Sequence, residues 1–227
     1  SGQKLPINEA PLLINDVGLD PSQKLVPIKD RSLTFSFANQ KMINAEKIEL
    51  EPFYRIHDSR YMMYWMKLTS NQYKHYIDSL TVIEQKRIEL QKRTVDAVTP
   101  GEQQPEADHF IQQNNSTTGN YLDAFWRSAR SNGYFSYQLS TNNEAALKLL
   151  VRYWGAEKGN RTFDIYIDDE KLITENINGK WNVQQFREVE YAIPASMLKG
   201  KKTIRVKFQA LLEHTAGAVY DVRLVKK

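Results

Sequence analysis

The sequence predicts a mainly β protein: two β-sandwich units joined by a long α-helix, the second unit a jelly roll. Three observations carry this. Apolar residues alternate with polar ones in short runs along most of the 227 residues, as in TFDIYID (162–168) and TIRVKFQAL (203–211). Clusters rich in Gly, Asp and Asn (KGNR, DDEK, NGK, LKGKK) separate those runs and supply turns. A single stretch, residues 71–93, changes to helical period, with Tyr73, Ile77, Leu80, Ile83 and Leu90 on one stripe.

Taken in order, residues 1–68 form the expected small sandwich of about five strands. PLLI (11–14) is short and apolar. LTFSF (33–37) alternates, with Leu33, Phe35 and Phe37 on one face and Thr34 and Ser36 on the other. KIELEPF must turn at Pro52. YMMYWMKL (61–68) is apolar at nearly every position, the pattern of a strand covered on both faces. Residues 69–105 are expected to be the linking helix and an extended linker. Thr69 or Ser70 caps the helix, Lys86, Arg87, Lys92 and Arg93 suit its C-terminal dipole, and Pro100, Gly101 and Pro105 end helical structure. The stripe is expected to pack on the protein's own sandwiches. Residues 106–227 carry strand patterns at 134–139, 146–154, 162–168, 187–193, 203–211 and 218–225 without intervening helices, the size and spacing of a jelly roll.

Composition excludes several classes of function. The net charge of +4 is mild. Residues 1–93 carry 14 Lys+Arg against 11 Asp+Glu, residues 94–227 carry 17 against 16, and neither half has the basic field that nucleic-acid binding needs. No apolar run reaches the length of a membrane span. SGQKLPINEA lacks an apolar signal-peptide core, so no signal peptide is expected. There are no cysteines, which removes thiol nucleophiles and cysteine-bound zinc. The four histidines, His57, His75, His109 and His214, have no metal-ligand spacing.

Candidate sites follow from residue type. Arg55, His57, Asp58 and Arg60 read as a structural or docking cluster, because adjacent strand residues point to opposite faces and cannot act as a base and its orienting acid. Sugars lay their C–H faces on aromatic rings while Arg, Asn, Asp and Gln read hydroxyls. Trp126, beside Arg127, Trp181 in the turn NGKWN, and Tyr134 are therefore carbohydrate-binding candidates. Burial and exposure stay open for Trp126 and Trp181, whereas Trp154, ending a strand, is read as core. Glu102, Glu106 and Asp108 contain the residue types for glycoside hydrolysis, but nothing in their spacing demands two carboxyls about 5 to 9.5 Å apart across a cleft. The chain alone is therefore expected to have no catalytic residues.

PFYRIHDSRYMMYW (52–65), followed by the helix and TVDAVTPGEQQPEADH (94–109), resembles the C-terminal, non-catalytic region of glycoside hydrolase family 127, the β-L-arabinofuranosidase-like group. The resemblance runs from PLLINDVGLD to AGAVYDVRLV. In that family an N-terminal α/α barrel carries a cysteine nucleophile beside a zinc held by cysteines and a glutamate. None of those residues can be carried over to a chain without cysteine. The resemblance implies an accessory region that braces a catalytic domain, its missing N-terminal partner, and binds glycan, in a protein exported to the periplasm or cell surface. The alternative is a freestanding carbohydrate-binding or adhesion module. EADH, GYFSYQL, VRYWGAEKGNRTFDIYIDD and GAVYDVRL also resemble a galactose-binding-like carbohydrate-binding module. That resemblance implies a structural calcium at Glu106, Asp108 and Asp221, completed by carbonyls or water.

Overall fold

In the computed structural model, residues 12–14, 25–37, 41–43, 49–55 and 66–227 are described, and the chain divides into two units, residues 1–86 and 87–227. In the first unit six short strands form two three-stranded sheets among the described residues. They are β1 (Leu12–Ile14), β2 (Leu25–Pro27), β3 (Phe35–Phe37), β4 (Lys41–Ile43), β5 (Glu49–Leu50) and β6 (Met66–Leu68), in the orders β4-β1-β6 and β2-β3-β5. Leu12 and Ile14 are buried. The Arg31 guanidinium in the β2–β3 turn pairs with both Glu49 and Glu51, tying the hairpin to the neighbouring strand. One expectation is reversed here. Leu33 sits in that turn with φ +56° and is 59% exposed, while Thr34 is buried, because the strand begins only at Phe35.

Arg55 ends a short 3-10 turn, Phe53–Arg55, where it is exposed and lies over the Tyr54 ring at 5.9 Å. His57, Asp58 and Arg60 lie outside the described residues, as does most of the 61–68 run.

Helix α1 covers Ser70–Arg93. Thr69 and Gln72 form a capping box: the Gln72 N–H donates to Thr69 Oγ1 (3.2 Å) and the Thr69 N–H to Gln72 Oε1 (2.9 Å). None of its residues is buried, and Ile83 is 63% exposed. The expected packing of its apolar stripe is therefore not realised. Its last turn is anchored by polar groups instead, with Arg93 Nε donating to the Lys226 carbonyl (3.1 Å) and Arg93 pairing with Glu190 (2.9 Å).

The second unit is a curled antiparallel β-sandwich of the jelly-roll kind. Its strands are β7 (Thr94–Val98), β8 (Gln112–Tyr121), β9 (Ala124–Ser140), β10 (Leu147–Trp154), β11 (Thr162–Ile167), β12 (Glu170–Asn176), β13 (Phe186–Ala192), β14 (Thr203–Ala210) and β15 (Thr215–Lys226). Helix α2 (Gln103–Asp108) and a short turn of helix, α3 (Ala195–Leu198), complete it. The hydrogen-bonded order is β12-β11-β14-β9-β15-β10-β13, with β7 added to β15 and β8 to β9. β9 and β15 are long because each serves both layers. The first residues of β15 pair with Arg127–Arg130 of β9, and its later residues pair with β10 and β7. Residues 94–105, read from sequence as linker, contribute β7 and the start of α2 to this unit. Val98 is buried against the core, and β15 supplies the pairing that the short TVDAV sequence does not advertise.

The core is built by alternation. Phe135, Tyr137 and Leu139 of β9 lie beside Ile204, Val206 and Phe208 of β14, which lie beside Phe163, Ile165 and Ile167 of β11, all essentially fully buried. Rings run through it in a chain: Tyr137 beside Phe135 (5.9 Å), Phe135 stacked on Phe208 (5.0 Å), then Phe163 (6.4 Å) and Tyr153 (6.1 Å). Such pairs add about 0.5–1.5 kcal/mol each beyond their burial.

A charged brace is buried against this apolar interior. Glu106 of α2 accepts Arg127 Nε and Nη2 (both 2.6 Å), the Tyr137 hydroxyl (2.7 Å) and the Gly101 N–H (2.8 Å). Burial pushes its carboxyl up, but those hydrogen bonds outweigh burial and hold it below its ordinary value of 4.5. A lowered carboxyl stabilises the fold above its unfolded-state value, and that stability is lost as pH falls through the folded-state value. Glu106→Gln or Arg127→Met should destabilise the sandwich by about 3–5 kcal/mol, the usual consequence of stranding one partner of a buried pair. Denaturant titration at pH 7 checks this, and Glu106→Gln should also remove part of the loss of stability seen on acidification.

Candidate functional site

The outward face of the β13-β10-β15 layer gathers the chemistry. Along β10, Leu147, Leu149, Val151 and Tyr153 point into the core. Strand alternation therefore turns Lys148, Leu150, Arg152 and Trp154 outward. Register sets their neighbours: Trp154 lies opposite Phe186, Arg152 opposite Glu188 on β13 and Asp221 on β15, and Leu150 opposite Glu190 and Arg223. Directly paired residues share a face, so three rows cross the layer.

The first row is aromatic. Trp154 meets Phe186 edge-on at 5.2 Å, Phe186 meets Tyr220 at 4.9 Å, and Tyr121, on the tip of the β8–β9 hairpin, meets Trp154 at 5.1 Å. The register of β10 against β15 shifts after Arg152, which brings Tyr220 into this row. A separate shift, of β15 against β9 between Ala216 and Val219, falls at Gly217: it has φ +96°, and a Cβ there would stand 2.8 Å from the Arg127 carbonyl and the Val219 nitrogen. Trp154 and Phe186 are half-buried and Tyr121 is 47% exposed, so ring surface remains open to solvent. Tyr220 is nearly covered. Burial, then the negative charge of Glu157 and the neighbouring Tyr121, push its hydroxyl up to about 12, against the opposing Arg161. Glu157 pairs with Arg161 at 3.0 Å, and burial holds its carboxyl above the ordinary value despite that partner.

The second row is charged. The Arg152 guanidinium carbon lies 4.2 Å from the Phe186 ring centroid, an arrangement arginine favours over aromatic faces. Its Nε is buried with no hydrogen-bond partner. No ion pair joins it to Glu188 or Asp221, although both flank it across the strands. Asp221 pairs instead with Arg223 Nε at 2.5 Å. Burial raises the Asp221 carboxyl above its ordinary 3.8, Arg223 and Arg152 oppose this, and Glu188 adds to it.

The residues singled out from sequence are not brought together here. Trp126 crosses its strand partner Gly119, where a Cβ would meet the indole at 2.5 Å; the ring fills a glycine gap on an edge. Arg127 is committed to Glu106 and to Ser116 Oγ (2.9 Å) as a brace, so its guanidinium is not free to read sugar hydroxyls. Trp181 stacks on Tyr153 at 6.2 Å against the core, with Lys180 over it. Tyr134 is half-buried, opposite Gln209 and Asn114. Of the three acids implied as calcium ligands, Glu106 is taken up by its donors, Asp108 is exposed and accepts Gln104 Nε2 (2.7 Å), and Asp221 belongs to the charged row. Among the described residues no group of three His, Asp or Glu side chains is placed to hold a metal ion. Sequence reasoning missed Arg152, Phe186, Glu188 and Tyr220 and assigned Trp154 to the core. The signal was present in LKLLVRYW, whose alternation puts Arg152 and Trp154 together on the face away from Leu149 and Val151.

A concavity of about 450 Å³ lies at the other end of the sandwich, lined by Asn143, Glu144, Ser196, Lys199, Lys201 and Lys202 among others. Two of its charges are already paired, Lys201 with Asp168 and Glu144 with Lys226.

Fold and site together define a jelly-roll β-sandwich with an aromatic and charged sheet face. The chain belongs to the Family of unknown function (DUF6805), whose model matches residues 89–225, and a Domain of unknown function (DUF4986) matches residues 1–67. No curated protein matches the sequence. Among solved structures it is similar to a family 35 carbohydrate-binding module from Clostridium thermocellum (11% identity, TM-score 0.41, 58% of this chain and 98% of that one). It is similar also to a family 35 module from Cellvibrio japonicus (13%, 0.42, 57% and 92%). A third is a family GH115 4-O-methyl-α-glucuronidase with specificity for decorated arabinogalactans (11%, 0.41, 60% and 18%). No described helix is long and apolar enough to cross a membrane.

A carboxyl whose folded-state value is raised favours folding below its unfolded-state value, and that advantage is lost as pH rises through the folded-state value. Asp221→Asn should therefore raise the thermal midpoint over wild type at pH 7 and lose that gain at pH 3.8 and below. Paired melts across that range check it.

Proposed function

We propose that this chain is a non-catalytic carbohydrate-binding region whose ligand lies on the outward face of the β13-β10-β15 layer. The observation that carries the reading is Arg152. Its guanidinium is held over the Phe186 ring, beside the half-buried Trp154, and its Nε has no hydrogen-bond partner among the described residues. A guanidinium that its own fold does not pair with a carboxylate has terminal N–H groups to offer an external oxygen. The open surface of Trp154 and Tyr121 matches the apolar C–H face of a pyranose or furanose ring.

In this reading the region is the accessory part of a glycan-acting hydrolase, exported to the periplasm or cell surface, and its helix-linked first unit braces the catalytic domain. The sequence resemblance to family 127 enzymes supports that parentage. Reading the gene upstream of Ser1 tests it: a cysteine-containing helical barrel supports the accessory role, and its absence favours a freestanding module. Binding is tested by a glycan array followed by calorimetry. Trp154→Ala and Arg152→Ala should each weaken the strongest hit at least tenfold while leaving the melting curve cooperative.

A further inference from the structure

We infer that the sheet-face site selects a neutral sugar presenting two adjacent hydroxyls, and that Arg152 and Glu188 read those hydroxyls as a donor–acceptor pair. The inference rests on the carbohydrate-binding reading and adds its specificity. Its basis is which charges on the face are already neutralised. Arg223 pairs with Asp221, Lys148 and Arg93 both pair with Glu190, and Arg161 pairs with Glu157. That leaves Arg152 and Glu188, directly opposite in register, as the two charges of the face without an ion-pair partner among the described residues. Glu188 is exposed, and the Arg152 guanidinium leans over Phe186, the residue two positions before Glu188 on the same strand.

An unpaired guanidinium beside an unpaired carboxylate offers N–H donors next to acceptor oxygens, with no net charge between them. A hydroxyl both donates and accepts, so two hydroxyls on neighbouring ring carbons satisfy the pair: one accepts from Arg152, and the other donates to Glu188. A uronic acid fits poorly. Its carboxylate gains Arg152 but is brought beside Glu188 and Asp221, and like charges in partly buried surroundings repel. The rows also fix direction. Trp154 and Arg152 are two residues apart on one strand, about 6.5–7 Å. A ring stacked on Trp154 therefore carries its hydroxyl edge, or the next sugar, over the charged row.

The test is calorimetry with matched oligosaccharides, neutral and uronate-containing, against wild type, Arg152→Ala, Glu188→Gln and Glu188→Lys. The expected result is tighter wild-type binding of the neutral member, weakened about tenfold or more by Arg152→Ala and by Glu188→Gln. Glu188→Lys should shift preference toward the uronate, in a salt-sensitive manner. A wild-type preference for the uronate that Arg152→Ala abolishes would overturn this inference and leave carbohydrate binding standing. Binding of either sugar unaffected by all three substitutions would place the ligand elsewhere and overturn the site. No binding of any oligosaccharide by the folded wild type would overturn the function itself.

Discussion

A bend in one strand, locked by one carboxylate, holds the sandwich together. Arg127 and Tyr137 are ten residues apart on β9, and in a straight strand that is about 33 Å. Both nevertheless bond to Glu106, so the strand must turn sharply between them. It does so at Ser131 and Asn132, which take positive φ (39° and 60°), where the pairing with β8 also slips out of register. The bend lets β9 pair with β14 in one layer and with β15 toward the other. Ser131, Asn132 and Gly133 supply a local turn, and the brace fixes how far the two arms of this 17-residue strand close on each other.

The candidate site inherits that geometry. β15 follows β9 through its first residues and then crosses to lie beside β10, so the place where it changes partner, around Gly217 and Tyr220, is also where the aromatic row assembles. Tyr220 comes from β15, Trp154 from β10, Phe186 from β13 and Tyr121 from the β8–β9 hairpin. None of these rings is near the others in sequence. Burial of Glu157 and Asp221 raises both carboxyls above their ordinary values, so two acids at the site are held at a disadvantage to folding. Such tension between local stability and retained polar chemistry is common where a surface is used.

Parts of this were legible in the residues. Alternation in TFDIYID and TIRVKFQAL located β11 and β14 and named their inward residues, because a half-buried strand must alternate. The start of α1 was legible, as Thr69 or Ser70, because capping is local: Thr69 satisfies the Gln72 N–H only three residues away. By contrast, β8 reads QQNNSTTGNY and shows no apolar period, since it is an edge strand exposed along nearly its whole length and is held by backbone pairing to β9. β7 was hidden because its five residues, ahead of Pro100 and Gly101, are too few to show a period, and Leu33 was misassigned because turn geometry at residues 31–33 precedes the strand.

By itself the sequence determined what local physics determines: a mainly β chain without cysteine, its turns, the start of its one long helix, and which residues of the inner strands face inward. Tertiary structure alone decided which of the remaining side chains meet. Arg127 became a brace because Glu106 arrives from a helix 21 residues earlier, whereas Arg152 was left without an acceptor because the acids beside it pair elsewhere or stand off. The difference between a structural arginine and one available to a ligand lies in non-local register, and a single strand's pattern carries no record of its partners.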